Sequence, residues 1–402
     1  MNGAGNFNHD RREAEAPCDG EEQDMSALRS LLILAALASF ILPIPGPVGA
    51  PLRQAAKPLQ SSTAQKTIAL TFDDIPRAPG AFYTKEDRTT RLIAALRAAG
   101  VPQVAMFVNP GRIMAGDGAT ERIAAYVAAG HVIADHSFSH RDLSAVSADA
   151  FLADVDKAEA WLKGRPGYRP WFRFPGLNQG GRDQAKRRTV LDGLAARGLL
   201  VTGVTIDGSD WYMERLALDA QRAGKPIDDA ALRDLYVETM VQSADFSDSL
   251  MRKALGRAPA QVILLHETDL AARYIGALVD ALRRDGWVIV TADAAFADPI
   301  YHREPNTPTD NGTLSEAIAT EKGITGPLWY ERTDLKVASA LFEARVMHQP
   351  ALAAAPAPKP VALLSRASAR RWRCIVRHGR WHHRCAEFAF TTGQSMRSGT
   401  AA

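Results

Sequence analysis

The chain has 402 residues, 46% hydrophobic and 23% charged, with a formal net charge of +3, enough apolar sequence to bury a large core in one or two domains. Eight arginines against Glu387 alone make residues 361–402 strongly basic; the remaining body is therefore mildly acidic, which gives no case for nucleic-acid binding. The cysteines, Cys18, Cys374 and Cys385, all lie outside the periodic body, which excludes a catalytic thiol there and a structural zinc site of paired-cysteine spacing.

Residues 1–24 are polar and acidic and read as a mis-started extension. From Met25 the chain runs through Arg29 into a dozen apolar residues and a small-residue exit near Ala50, the pattern of a secretory signal over 25–50. That run is shorter than the ~20 residues needed to span a bilayer. Export to the periplasm or the exterior is expected, with an anchored form only if the signal is retained and no stable membrane insertion after cleavage. Residues 51–65 form a Pro-, Ser- and Gln-rich linker.

Strands and helices then alternate. A strand over about 66–72 runs apolar into Asp73 and Asp74; a helix over 85–100 ends at Gly100. Val104–Val108 predicts a second strand, 119–129 a helix, and Val132–Ala134 a third strand running into D-H-S-F-S-H. A helix over 147–163, a strand at Trp171–Phe174, a helix near 183–197 and a strand from Leu199 to Ile206 follow. The long segment 212–258, helical near its end, is expected to loop over the groove. Val262–Leu265 is a strand, 270–284 a helix, and 287–290 the last strand. About seven βα units in some 235 residues predict an α/β fold, a distorted (β/α)7-type barrel, over residues 66–300. Residues 301–348 form a C-terminal extension expected to pack on the barrel, with a helical segment near 334–348. Residues 349–402 are an Ala/Pro linker and a basic tail without apolar period, expected to be disordered. No glycine-rich phosphate-binding loop opens any helix.

The chemistry-bearing residues gather at one end of the expected sheet. Neighbouring side chains on a regular strand point to opposite faces, so Asp73 and Asp74 can share a site only where the chain turns. His136 and His140, four apart, would sit about 13 Å apart on an extended strand, but ~5–6 Å apart on a helical turn. Two histidines and one carboxylate with an open position suit a catalytic metal. Arg173 stands on an otherwise apolar strand and, if buried, needs a carboxylate partner. Asp207 to Trp211 follows the next strand, and Leu264 leads to His266. His131 is expected to be a packing residue, while Tyr83, Asn109 and Asp135 are further candidates to line the groove.

With these residues in place the sequence resembles the polysaccharide deacetylase family (NodB-homology domain, carbohydrate esterase family four). Its five motifs occur in order over about residues 66–295: T-F-D-D at Thr71–Asp74, H-S-x-x-H at His136–His140, F-R-x-P at Phe172–Pro175, D-x-x-D-W at Asp207–Trp211, and L-x-H at Leu264–His266. The resemblance implies Asp73 as general base, Asp74, His136 and His140 as metal ligands, and Arg173 as the residue that orients the base. It further implies Asp210 tuning the acid, Trp211 walling the pocket and His266 as general acid. Leu264 is the motif's other fixed position and a substrate-side residue. The first motif usually continues D-D-G-P; here Ile75 replaces the glycine, which is expected to narrow the pocket beside the metal. The third motif usually ends P-x-G, and here Gly176 directly follows Pro175, making its N–H the candidate oxyanion donor.

The function so implied is a metal-dependent hydrolase removing N- or O-linked acetyl groups from a glycan such as peptidoglycan, chito-oligosaccharide or xylan. It would use one divalent metal ion, zinc foremost, with cobalt or manganese also suited, and act as a monomer. Two alternatives are a hydrolase of a non-glycan amide or imide on the same barrel and a catalytically idle glycan-binding envelope protein.

Overall fold

The strand that carries the two aspartates, β1 (Lys66–Ile75), is the centre of a parallel sheet in the computed structural model, which describes residues 65–308 and 311–348. After it come α1 (Lys85–Ala98), β2 (Ala105–Val108), α2 (Ala119–Ala128), β3 (Val132–Asp135), α3 (Ala148–Leu162), β4 (Tyr168–Phe172) and α4 (Gln184–Ala196). The second half holds β5 (Leu200–Val201), β6 (Ile206–Asp207), α5 (Asp210–Arg222), α6 (Asp229–Leu255), β7 (Gln261–His266), α7 (Asp269–Arg284) and β8 (Trp287–Ile289). The strand order is β5-β4-β3-β2-β1-β7-β6, every pair parallel, with β8 on the lower half of β1. Helices cover the outer face, so the fold is the expected α/β distorted barrel.

Period-two alternation sorts β1 between the two sides of this sheet. Ile68, Leu70 and Phe72 join the large outer core with α1, α6 and α7, where Leu92, Leu96, Tyr236, Met240, Ile275 and Leu278 pack. Ala69 joins a smaller inner cluster with Ala105, Phe107, Ala134 and Val262. Thr71 and Asp73 continue that inward row, and both meet Arg173 inside the barrel.

Two expectations change. The run Leu199–Ile206 is two strands, not one: β5 extends β4, whereas β6 pairs with β7 at the opposite end of the sheet order. The four residues between them cross the open seam of the barrel and leave backbone carbonyls unpaired by any strand. A later segment satisfies them: Leu314 N–H donates to the Val204 carbonyl at 2.7 Å and Ser315 Oγ to the Thr205 carbonyl at 2.6 Å. Beyond the short α8 (Ala292–Phe296), that segment opens α9 (Leu314–Glu321), a helix the sequence pattern did not suggest, which packs with α6; α10 (Leu335–Arg345) packs with α5 and α6.

Nor is 212–258 a loop over the groove. It is a helical hairpin of α5 and α6, and α6 buries Leu232, Leu235, Tyr236, Thr239, Met240, Ser243, Ala244, Ser247 and Met251. That i, i+3, i+4 spacing is one continuous face, and it is spent on β6, β7 and α7. The signal at 25–50, the linker, the basic tail and the three cysteines lie outside the described residues. Among the described residues, no helix is long and apolar enough to cross a membrane. Leu235→Ala is expected to destabilise the protein by about 2–5 kcal/mol in denaturant unfolding, as a core truncation does. A loss below about 0.5 kcal/mol would return α6 to the status of a peripheral cover.

Candidate active site

Both aspartates reach one site because β1 stops being regular between them. Its register on β2 shifts between Phe72 and Ile75, and Asp74 takes φ 70°, in the left-handed region. A non-glycine residue there costs of order 1–3 kcal/mol and persists only where its surroundings hold it. Asp73 therefore points inward with the regular row while Asp74 is turned to the strand-end surface beside the histidines. Ile75 resumes the outer face, is 1% exposed and packs in the outer core with Phe72. It does not narrow the pocket as expected; the strand's alternation turns it into the outer core, away from the inward row of Thr71 and Asp73.

The histidines sit on a turn beyond β3 that is built by side chains. Ser137 N–H donates to Asp135 Oδ1 at 2.6 Å, His140 N–H to Ser137 Oγ at 3.1 Å, and Asn109 Nδ2 to the carbonyls of His136 and Ser137. Ser137 and His140 both take positive φ, so the turn doubles back and brings the two rings to 5.0 Å. Asp135 and Asn109 are fully buried behind this loop and hold it, where they were expected to line the groove. Tyr83 lies under the guanidinium of Arg91, and its N–H donates to Asp269 Oδ2. His131 is buried, as a packing residue is, and burial lowers its pKa to about 4.

Asp74, His136 and His140 offer three ligand atoms within 4.8 Å of one another. Nδ1 of His136 is 2.9 Å from the Arg173 carbonyl, which makes Nδ1 the protonated nitrogen and leaves Nε2 facing Asp74 with a free lone pair. Burial lowers the pKa of His136 to about 4, so it is neutral at pH 7, the form a ligand requires. Oδ1 of Asp74 is buried without a hydrogen-bond partner although His140 Nε2 lies 3.0 Å away. The two are near but not aligned as donor and acceptor, which is how two ligands of one ion stand. Burial alone would raise the Asp74 carboxyl, but the close approach of His140 and the charges of His136, His266 and Arg112 hold it far below the usual carboxylate range. The donor set fits a divalent cation.

Asp73 is held by Arg173, whose Nη1 donates to Oδ1 at 2.6 Å and to Thr71 Oγ1 at 2.8 Å. Arg173 follows β4, is 1% exposed, donates Nε to the Thr202 carbonyl and lies 3.7 Å from the Phe107 ring centre. The other oxygen of Asp73 is 3.6 Å from His136 Nε2, so the carboxylate faces the ligand cluster. On the far side His266 ends β7, with Nδ1 2.7 Å from Asp210 Oδ1 and its backbone N–H on Asp210 Oδ2. Asp210, wholly buried, opens α5 after Ser209, which is turned into place by Asp207 Oδ1. Burial alone would lower the His266 pKa, and the Asp210 carboxylate overturns this, so the net shift is upward from 6.5.

Gly176 lies in the turn after Pro175, at φ 59° and exposed, and its N–H takes no part in the two hydrogen bonds that close the turn. Trp211 is half-buried against Tyr212 at the start of α5, and Leu264 sits inside the barrel. Two further residues at this site, Arg77 and Arg112, stand outside every sequence motif. Arg77 Nη1 lies 2.8 Å from Asp74 Oδ2, and Arg112 Nη1 lies 3.2 Å from Asp74 Oδ1. A basic residue three positions after a ligand carboxylate was the available signal for Arg77; Arg112 carried none.

Residues 60–191, which hold the first three motifs, match the family model described as polysaccharide deacetylase. The family resemblance seen in the motifs is thereby shown for this part of the chain. Among solved structures, the chain is similar to a family 4 carbohydrate esterase from Streptomyces lividans in complex with acetate, at 22% identity over 56% of this chain and 91% of that one, with a TM-score of 0.37. It is also similar to the peptidoglycan deacetylase PdaC from Bacillus subtilis (20% identity, 58% and 91% covered, TM-score 0.37). A third is a family 4 acetyl xylan esterase from Clostridium thermocellum in complex with a cobalt ion (19% identity, 57% and 90% covered, TM-score 0.40). No curated protein matches the chain.

Arg173→Met leaves the Asp73 carboxylate buried without its partner and is expected to cost about 3–5 kcal/mol in chemical denaturation. Arg173→Met with Asp73→Leu should recover much of that loss. Equal destabilisation in the single and double variants would show that the ion pair is not what holds this centre.

Proposed function

We propose that the protein is a metal-dependent hydrolytic deacetylase that removes acetyl groups from an acetylated glycan such as peptidoglycan, chito-oligosaccharide or xylan. The observation that carries this reading is the convergence of three assemblies at one sheet end: the Asp74–His136–His140 ligand set, the Arg173–Asp73 pair and the Asp210–His266 pair. The match of residues 60–191 to the polysaccharide deacetylase family supports it. Zinc is the expected ion, with cobalt and manganese compatible with two nitrogens and a carboxylate. The signal-like stretch 25–50 supports an exported enzyme that works in the periplasm or outside the cell.

A divalent cation on the three ligands would act as a Lewis acid and lower the pKa of its water from about 15.7 toward ~7. Asp73 then serves as the base for the attacking water, with the Arg173 hydrogen bond aiming its carboxylate. Attack on the acetyl carbonyl puts negative charge on its oxygen, and the N–H of Gly176 is the candidate donor to that oxygen, an effect worth about 2.7–4 kcal/mol per donor. His266, with Nδ1 on Asp210, presents Nε2 to the leaving amine or alcohol and gives it the proton. Asp210 both orients the ring and stabilises the imidazolium. Trp211 and Leu264 wall the acetyl pocket.

Asp74→Ala and His140→Ala should each lose metal, measured by elemental analysis after dialysis, together with acetate release. The deciding experiment is an acetate-release screen of the metal-loaded protein over a panel of acetylated glycans; no acetate from any of them overturns the proposal. The pH profile tests His266 separately. Its raised pKa keeps the imidazole protonated above 6.5, so kcat should persist past that pH and fall as pH rises through the raised value. Asp210→Asn should move this alkaline limb to lower pH by about one unit or more. A limb that stays in place would remove His266 as the acid.

A further inference from the structure

We propose that Arg77 and Arg112 form a carboxylate-binding subsite at the mouth of the active site, and that the natural substrate is an acetylated glycan whose sugars also carry a carboxylate. This rests on the deacetylase reading and names its substrate class.

Among the described residues Asp74 is the only carboxylate that either guanidinium touches, Arg77 on Oδ2 and Arg112 on Oδ1. Asp74 is also the only anionic member of the metal-ligand set. One carboxylate facing two guanidiniums already leaves a positive excess; shared with a divalent cation it leaves a larger one. Of the neighbouring charges, Asp73 is matched by Arg173 and Asp210 by His266, while the buried Glu267 and Asp269 share Arg88 and offset part of the excess only from the interior side of the Arg77 loop. Arg77 and Arg112 are partly open, with side chains 24% and 34% exposed, so solvent and substrate reach them. Arg77 also lies near enough to the proposed acid for its charge to oppose protonation of His266. Arg77 thus flanks the reacting centre on the His266 side, and Arg112 on the histidine-loop side.

Both arginines stand on built supports. The backbone of Arg77 is fixed from two directions: its N–H donates to Glu267 Oε2 at 3.1 Å and its carbonyl accepts from Arg88 Nη2 at 2.9 Å. Arg88 and Glu267 are 1% and 2% exposed, and no step of the proposed mechanism uses them. Asp269, also buried, accepts from the N–H groups of Phe82 and Tyr83 and so pins the rest of the same loop. Burying these charges is costly, and holding the loop that presents Arg77 accounts for their presence. Arg112 follows Gly111, whose N–H donates to the Phe138 carbonyl at 2.9 Å; a Cβ there would lie 2.6 Å from that oxygen. Only glycine lets this loop close on the histidine turn. Two guanidiniums held over one site suit a carboxylate, which a fork of N–H donors binds through both oxygens.

The test compares substrates that share the acetyl group and differ in charge. Acetate release by the zinc-loaded protein is measured on a neutral N-acetylglucosamine oligomer, on the same oligomer with alternate N-acetylmuramic acid, and on an acetylated hexuronate oligomer. At least one acidic substrate should show a KM about tenfold or more below the neutral one, and this ratio should collapse in Arg77→Ala and in Arg112→Ala and be partly restored in Arg77→Lys. A second readout needs no turnover. Calorimetry with a non-acetylated hexuronate trimer should show binding to the zinc-loaded protein that weakens about tenfold in either alanine variant and falls with added salt. Failure of the trimer to bind, or binding that both alanine variants retain, overturns the subsite whatever the acetate assay shows. Absence of acetate release with the trimer still bound would overturn the deacetylase reading while leaving the anion subsite standing.

Discussion

Arg173 donates to Asp73 at 2.6 Å inside the barrel, to Thr71 at 2.8 Å and to the Thr202 carbonyl, while its side chain lies against the face of Phe107. Its backbone carbonyl meets His136 Nδ1, and its backbone N–H pairs with Asp135. One residue thus joins β1, β2, the loop after β3, the end of β4 and the seam beyond β5. Burying a guanidinium is costly, and these bonds offset that cost at Nε and Nη1, while Nη2 is buried without a hydrogen-bond partner. The same set of bonds fixes the orientation of the Asp73 carboxylate and the tautomer of His136.

Around that centre the backbone is repeatedly forced into left-handed conformations at non-glycine residues. Asp74, Ser137, His140, Leu177 and Ser209 all have φ between 52° and 70°, and all stand at or just beyond strand ends. Regular strands cannot bring a row of neighbours to one point, so the sheet ends are bent, and at the histidine turn and at Ser209 side-chain hydrogen bonds offset the cost. Asn109, Asp135 and Ser137 do this for the histidine turn, and Asp207 does it for Ser209. The open seam of the barrel is a second strained place, and there the segment around Leu314 supplies the missing hydrogen bonds.

Much of this was legible beforehand. Helices α1 to α4 and α7 follow from apolar periodicity and their end signals, and the two aspartates, the histidine pair, Arg173, Asp210 and His266 could be named because each follows a recognisable strand. Four features were not legible. The split of 199–206 into β5 and β6 depends on which strands lie beside each half. The burial of α6 depends on the sheet it covers, since its own sequence mixes Thr and Ser with its apolar residues. The inward or outward direction of Ile75 depends on the register break at Asp74. Arg112 carries no local mark, because what makes it matter is a loop closing on another loop 26 residues away at Phe138.

The sequence by itself determined the order of elements, the parallel α/β class and the chemical types gathered at the strand ends, because periodicity and strand-end residues are local properties. Tertiary structure decided which of those groups meet. Asp74 turns toward the histidines, Asp73 toward Arg173, and Arg77 and Arg112 toward the same carboxylate from separate loops. The reason is physical: an electrostatic site is a matter of distances of a few ångströms between charges that the chain keeps far apart, and only the closed barrel sets those distances.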